Sequence, residues 1–262
     1  PSCAAGPIDP YFLGVVLGDG SLSVAYRISI ATIDPEIEEV VAAEAAARGL
    51  SIRRDGRNAI QHHVTSGHRR NGRRGGQNTL VTDLQSLGLL PVACADRFIP
   101  DGYKLGSRAV RLAVLAGLLD SDGHLSSGGF EFASKSERLA ADVAFVARSL
   151  GLAAYVKTRN TGSAAGQFRV GISGECSMIP TRVARKRAPV RIIGKDPLHV
   201  GFTVDPTGTV EEFYGFTLDG DRRYLLGDFT VNHNTVIFAH LCKTLVDAGW
   251  HPLVLVNRND LV

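Results

Sequence analysis

The sequence predicts an α+β protein: two pseudo-symmetric repeats of αββαββα order, followed by a partial all-β segment and a short αβ piece. Three observations predict it. The stretch LAGLLDSDG at 115–123 returns in looser form as FLGVVLGDG at 12–20. The same succession of strand, capped helix and hairpin follows each copy. From about residue 200 the chain turns to short alternating strands broken by Pro-Thr-Gly and Asp-Gly turns. The expected divisions are a linker at 1–9, repeats at 10–98 and 99–190, the all-β segment at 191–234 and the αβ piece at 235–262.

Each nine-residue stretch reads as a helix. Gly14 and Gly18 in the first copy, and Gly117 and Ser121 in the second, stand four apart and so share one helical face. A face without bulky side chains lets two backbones approach, so the copies are predicted to pack on each other. Phe12, Val15, Val16, Leu115, Leu118 and Leu119 are left for the surrounding core.

Asp19 and Asp122 then fall where the helices end, before Gly20 and Gly123. A helix C-terminus carries partial negative charge and disfavours a carboxylate there. An Asp-Gly pair can simply start a turn, but two copies in matching helical contexts point further. Side-by-side helices would bring both carboxylates together, where they repel each other and form an all-oxygen site suited to Mg²⁺.

Composition bounds the class. With 262 residues, 44% hydrophobic and 21% charged, the chain can bury two or more cores and is not a disordered sequence. A net charge of +3 permits nucleic-acid binding without demanding it. Cys3, Cys94, Cys176 and Cys242 are scattered and form no CxxC pair, which argues against a zinc site or a disulfide framework and favours a reducing, cytoplasmic setting. No apolar run reaches membrane-spanning length, no signal peptide is present, and the chain reads as a fragment of something longer.

In order, PSCAAGPID is a linker entering the first helix near Pro10. RISIAT at 27–32 alternates as a strand. Asp34 is expected to cap a helix that has Pro35 at its first position and ends at Gly49. In the second half FEFA at 130–133 alternates, Ser136 caps, and the helix runs to Leu150 before Gly151. The acids are offset by 103 residues and the terminating glycines by 102, an internal duplication differing by one hairpin residue.

Hairpins follow at 51–66 and 153–173, and they carry the positive charge: Arg53, Arg54 and Arg57 in the first, Lys157, Arg159 and Arg169 in the second. Alternation puts Lys157 and Arg159 on one face and Arg53 on the corresponding face of the other hairpin, so two twisted sheets could offer a basic surface to a DNA duplex. Arg69, Arg70, Arg73 and Arg74 lie in the loop beyond the first hairpin. His62, His63 and His68 lack the helical spacing of a zinc pair and are expected at the surface.

With these residues in view, positions 10 to about 188 resemble the LAGLIDADG, or dodecapeptide (DOD-type), homing endonucleases in their single-chain, two-repeat form. The resemblance implies that the motif helices form the interface, that Asp19 and Asp122 bind Mg²⁺ or another divalent cation, and that the sheets lie in the major groove of double-stranded DNA. It implies hydrolysis of one phosphodiester in each strand by a monomer. Lys157 is the candidate for a basic group near the site. The first copy departs from the motif, with Leu17 where the second has Asp120.

The all-β segment closes on Val231-Asn232-His233-Asn234-Thr235. An Asn amide can attack its own carbonyl and cut the peptide bond, a neighbouring His can protonate the leaving amine, and a following Thr offers a nucleophile. GFTLDGDRRYLLGDFTVNHNT resembles the C-terminal splicing block of an intein's Hint domain, which implies that Asn234 ends the intein, with His233 as helper and Thr235 as the first host residue. Arg222 stands where the block often has His. The N-terminal splicing blocks should precede the endonuclease, and Cys3 is too close to the motif helix to serve. A missing N-terminal splicing half and the host protein are therefore implied partners.

TVIFAHLCKTLVDAGW followed by HPLVLVN resembles a superfamily 2 helicase just after the phosphate-binding loop, with Thr235 on Mg²⁺. The leading expectation is an intein-encoded homing endonuclease with autocatalytic peptide cleavage. The alternatives are a degenerate intein that binds DNA without cutting, and an ATP-dependent DNA helicase.

Overall fold

The computed structural model describes residues 6–56, 58–66, 77–159, 166–190 and 218–233, with isolated positions at 196, 199, 203, 247 and 249. Residues 1–198 and 199–262 form two compact units.

In the first unit, helix α1 (Pro10–Asp19) starts at Asp9, whose carboxylate accepts from the Phe12 amide at 2.9 Å, with Pro10 at the first helical position. Strands β1 (Gly20–Ser21) and β2 (Ile28–Ala31) follow, then α2 (Pro35–Ala47), β3 (Ser51–Arg54), β4 (Gln61–Thr65) and α3 (Thr79–Ser86). After a 3₁₀ turn at Cys94–Asp96 and the short α4 (Asp101–Lys104), the plan begins again with α5 (Arg108–Asp122). The Ser107 hydroxyl accepts from Val110 at the head of α5. Then come β5 (Gly123–Ser126), β6 (Gly129–Ser134), α6 (Glu137–Ser149), β7 (Ala153–Arg159) and β8 (Gln167–Ser173).

Both sheets are antiparallel with the same topology, β1-β2-β4-β3 and β5-β6-β8-β7. Helices α2 and α6 end on Gly49 (φ 64°) and Gly151 (φ 87°), left-handed positions that glycine adopts without a Cβ clash. The six apolar residues assigned from sequence to the core, Phe12, Val15, Val16, Leu115, Leu118 and Leu119, are all at most 1% exposed.

Three local expectations are corrected. The second repeat does not close on a helix like α3; 3₁₀ turns at Cys176–Met178 and Ala184–Lys186 stand there, in a segment interrupted by Pro180, which has no N–H to give a helix. Asp34 occupies the N-cap position of α2, but its carboxylate makes no capping bond; it is held by Arg185, with one contact at 2.9 Å. His62 and His63 are buried, 3% and 7% exposed, because β4 is an inner strand. His62 lies 3.4 Å from Glu38 of α2, and His63 lies 3.4 Å from Asp55.

In the second unit, β9 (Arg223–Leu225) and β10 (Val231–His233) form an antiparallel hairpin in register Val231 to Leu225. This is the described part of the expected all-β segment, and the αβ piece expected at 235–262 lies almost wholly outside the described residues.

Candidate functional site

The site is built by contact between α1 and α5. A Cβ added to Gly117 would lie 2.0 Å from the Tyr11 carbonyl oxygen and 2.9 Å from the Val15 amide. One added to Gly14 would lie 2.3 Å from the Val114 carbonyl and 2.8 Å from the Leu118 amide. Backbone meets backbone at both crossings, which only glycine allows. At the next turn Gly18 faces Ser121, whose hydroxyl folds back to the Gly117 carbonyl at 2.9 Å.

The pairing brings the two helix C-termini together, and with them Asp19 and Asp122. Burial, and then the charge of Asp122, push Asp19 up from its ordinary 3.8 to about 6, against the pull of Lys186 and Arg97. Burial also raises Asp122, opposed by the same two cations. Two partly desolvated carboxylates in mutual repulsion fit a divalent cation, since hard oxygen donors suit Mg²⁺, and Mg²⁺ completes its shell with water or phosphate oxygens. Among the described residues no cluster of three or more His, Cys, Asp or Glu forms a cage. Asp19 and Asp122 would thus be the protein's carboxylate contribution to the ion.

Each helix end is capped by a cation from a distant segment. Arg97 is buried, and its two terminal nitrogens donate to the carbonyls of Leu17 (2.7 Å), Gly18 (2.6 Å) and Gly20 (2.5 Å). Lys186 Nζ donates to the carbonyls of Leu119 (3.1 Å), Asp120 (2.7 Å) and Ser121 (2.8 Å). Positive charge satisfies the orphan carbonyls and offsets the negative helix ends, so carboxylates become tolerable where a helix alone would reject them. Lys186 itself is shifted down by burial and then by Arg185, against the attraction of Asp120, Asp34 and Asp19.

Asp120 belongs to a second network. Fully buried, it accepts from the Tyr11 hydroxyl at 2.6 Å and the Arg182 amide at 2.6 Å. Burial raises its pKa, while Tyr11 and the amides of Arg182 and Val183 oppose. Burial and the Asp120 carboxylate push the Tyr11 hydroxyl far up in turn. The Arg182 guanidinium lies over the Tyr11 ring, 4.1 Å from its centre, and the Ala184 amide donates to Glu36 at 3.2 Å. Residues 181–187 of the second repeat therefore clasp α1 and α2 of the first.

The predicted DNA-contacting residues divide by strand parity. Arg53 pairs in register with His63, and Arg54 with His62, so the two arginines lie on opposite faces. Arg54 faces α2, where it holds Glu38 at 2.6 Å, and is thereby separated from the outer face that carries Arg53. Lys157 pairs with Arg169, and Arg159 with Gln167, on the outer face of the second sheet. Lys157 is thus an exposed sheet residue, and the cations given contacts at the carboxylate pair are Arg97 and Lys186. The side chain of Arg57 lies outside the described residues, as do Asn234, Thr235 and the loop arginines 69–74; His233 is described in its backbone, at the end of β10.

Arg97 and Lys186 escaped the sequence reading because they do not follow the repeat offset. The signal that could have found them is the misplaced acid itself. A carboxylate at a helix C-terminus requires a compensating cation, and the unassigned basic residues before each repeat's end were the candidates.

Residues 109–179 match the model of the LAGLIDADG-like domain. Over 153 residues, 58% of its length, the chain is 33% identical to the replicative DNA helicase DnaB of Mycobacterium intracellulare, and it spans 20% of that protein. Among solved structures it resembles mesophilic variants of the homing endonuclease I-DmoI, with 15% identity, a TM-score of 0.42 and coverage of 63% of this chain and 87% of that one. The I-DmoI complex with DNA and Mn gives 14% identity, a TM-score of 0.41 and coverage of 63% and 88%.

Proposed function

We propose that this chain is a site-specific DNA endonuclease of the LAGLIDADG homing type, cutting both strands of a duplex with Mg²⁺ or another divalent cation. The observation that carries the reading is the meeting of Asp19 and Asp122, both partly desolvated, at the paired ends of α1 and α5, with the proton affinity of Asp19 raised to about 6. A bound divalent ion would supply an activated water and stabilise the leaving oxygen. The chain's own contribution is to hold the two carboxylates side by side, to cap both helix ends with Arg97 and Lys186, and to present cationic sheet faces through Arg53, Lys157, Arg159 and Arg169. The LAGLIDADG-like match at 109–179 supports the same reading.

The nuclease is lodged in an intein, with the host junction between Asn234 and Thr235. Support comes from the His233-Asn234-Thr235 triad, from the β9–β10 hairpin that leads to it, and from the similarity to a replicative DNA helicase, which suits a helicase host. The protein works as a monomer in the cytoplasm.

The test is cleavage of duplex DNA spanning the uninterrupted host site. Wild type with Mg²⁺ is expected to give a double-strand break, and Asp19→Asn and Asp122→Asn are expected to bind the duplex and leave it whole. Cleavage by both variants at the wild-type rate would overturn the metal-site assignment. Binding without cleavage by wild type would select the degenerate alternative.

A further inference from the structure

The outer face of the second sheet contains a gap that the fold does not need. Gly171 sits in the middle of β8, paired with Glu131 of β6 on one side and Tyr155 of β7 on the other. A glycine inside a strand weakens it and often marks a point where a ligand approaches the backbone closely. Gly171 has no positive φ, and a Cβ built on it meets nothing within 4 Å, so neither conformation nor crowding calls for glycine here. A side chain could begin here without a clash at its Cβ.

The groups around the gap are chemically specific. Tyr155, 48% exposed, stands on one flank although it is a large aromatic. On the other flank stands Glu131, 45% exposed in its side chain, an acid on a face otherwise carrying Lys157, Arg159 and Arg169. A carboxylate on a surface meant for a polyanion is repelled by phosphate unless it is neutralised and has a donor of its own to meet. Arg169 neutralises it: one of its terminal nitrogens lies 3.0 Å from one Glu131 oxygen and 3.3 Å from the other. The two lie on neighbouring strands, diagonal to each other across one face, within reach for long side chains. This pair is exposed enough that its net worth to stability is small.

We propose that the gap over Gly171 is a base-reading subsite for one C·G pair in the major groove. Glu131 accepts from the cytosine N4 amino group, Arg169 donates to the guanine O6/N7 edge, and Tyr155 walls the slot. These are the pairings that the hydrogen-bonding pattern of the major-groove edges favours for an acid and a guanidinium. The missing side chain at Gly171 lets the base edge come down between them. This subsite rests on the reading that the chain binds duplex DNA through its sheets, and it assigns a sequence preference to one place on them.

The experiment is selection of bound duplexes from a library of randomised double-stranded DNA by the full chain, compared for wild type, Gly171→Val and Glu131→Gln. Valine favours strands and its Cβ has no atom within 4 Å at this site, so Gly171→Val should melt no lower than wild type while filling the slot. Wild type is expected to enrich a motif containing a fixed C·G pair. Both variants should lose preference at that one position by roughly ten- to hundred-fold and keep the rest of the motif. An unchanged motif in both variants would overturn the subsite while leaving DNA binding intact. Failure of wild type to enrich any motif would overturn the subsite and the DNA-binding reading together.

Discussion

At the scale of single residues, Asp19 makes stability depend on pH. Its native pKa of about 6 lies above the ordinary 3.8, so the folded chain holds that proton more tightly than the unfolded chain does. The corresponding stability is fully present below pH 3.8 and is lost as pH rises through about 6. In EDTA, wild type should therefore lose more melting temperature between pH 5 and pH 7.5 than Asp19→Asn does. The gap at neutral pH should be on the order of 2 kcal/mol, and added Mg²⁺ should narrow it. Thermal melts of the two proteins at both pH values, with and without the ion, measure this. Identical pH profiles would mean that burial and the Asp122 charge do not perturb Asp19 as described. Much of this was legible: an acid before glycine at the end of two similar helices marked both residues. The cations Arg97 and Lys186 were not legible, since they reach back 77–80 and 65–67 residues to carbonyls that no local pattern names.

At the scale of elements, the α1–α5 pair depends on glycines rather than on large side chains. Adding one methyl at Gly117 would press it to 2.0 Å from the Tyr11 carbonyl, and since the obstacle is backbone, the helices have to move apart. Gly117→Ala should cost about 1–3 kcal/mol or more despite the better helix propensity of alanine. Gly56→Ala, where a Cβ meets nothing within 4 Å, should be close to neutral. Urea unfolding of both variants checks the contrast, and equal costs would refute the close crossing. Helix spacing made this pairing readable, because residues four apart share a face whatever the tertiary context. Strand parity was harder to use. Arg53 and Arg54 were grouped in one basic hairpin, yet register holds Arg54 on the face toward α2, and His62 and His63 are buried because β4 is an inner strand. Asp34 had the sequence of a helix cap, but Arg185, 151 positions away, outbids the local amides.

At the scale of the whole molecule, two activities are proposed for one chain, and they separate cleanly. Asn234→Ala should abolish release of residues 235–262 when the N-terminal splicing blocks are supplied, and should leave DNA cleavage unchanged. Gel analysis of the released segment beside a cleavage assay tests both halves. Release by the variant at the wild-type rate would refute the junction. The duplicated plan was visible from the repeat offsets, and the two sheets of identical strand order express it. What the repeat logic could not foresee is the clasp at 181–187, which ends the second repeat without a helix and binds it to the first.

The hydrogen bond from Tyr11 to Asp120 makes the two halves non-interchangeable. Counting by the 103-residue offset, the position of Tyr11 is held in the second half by Val114, and that of Asp120 in the first half by Leu17. Two second halves pairing with each other would seal two carboxylates into the interface with valine in place of each phenol. Two first halves would set tyrosine against leucine and leave each hydroxyl stranded. Only the mixed combination gives the phenol and the carboxylate each other as partners. A gene duplication that began with two equal copies has thereby become a pair of complementary parts, each dependent on the other and neither suited to association with its own kind.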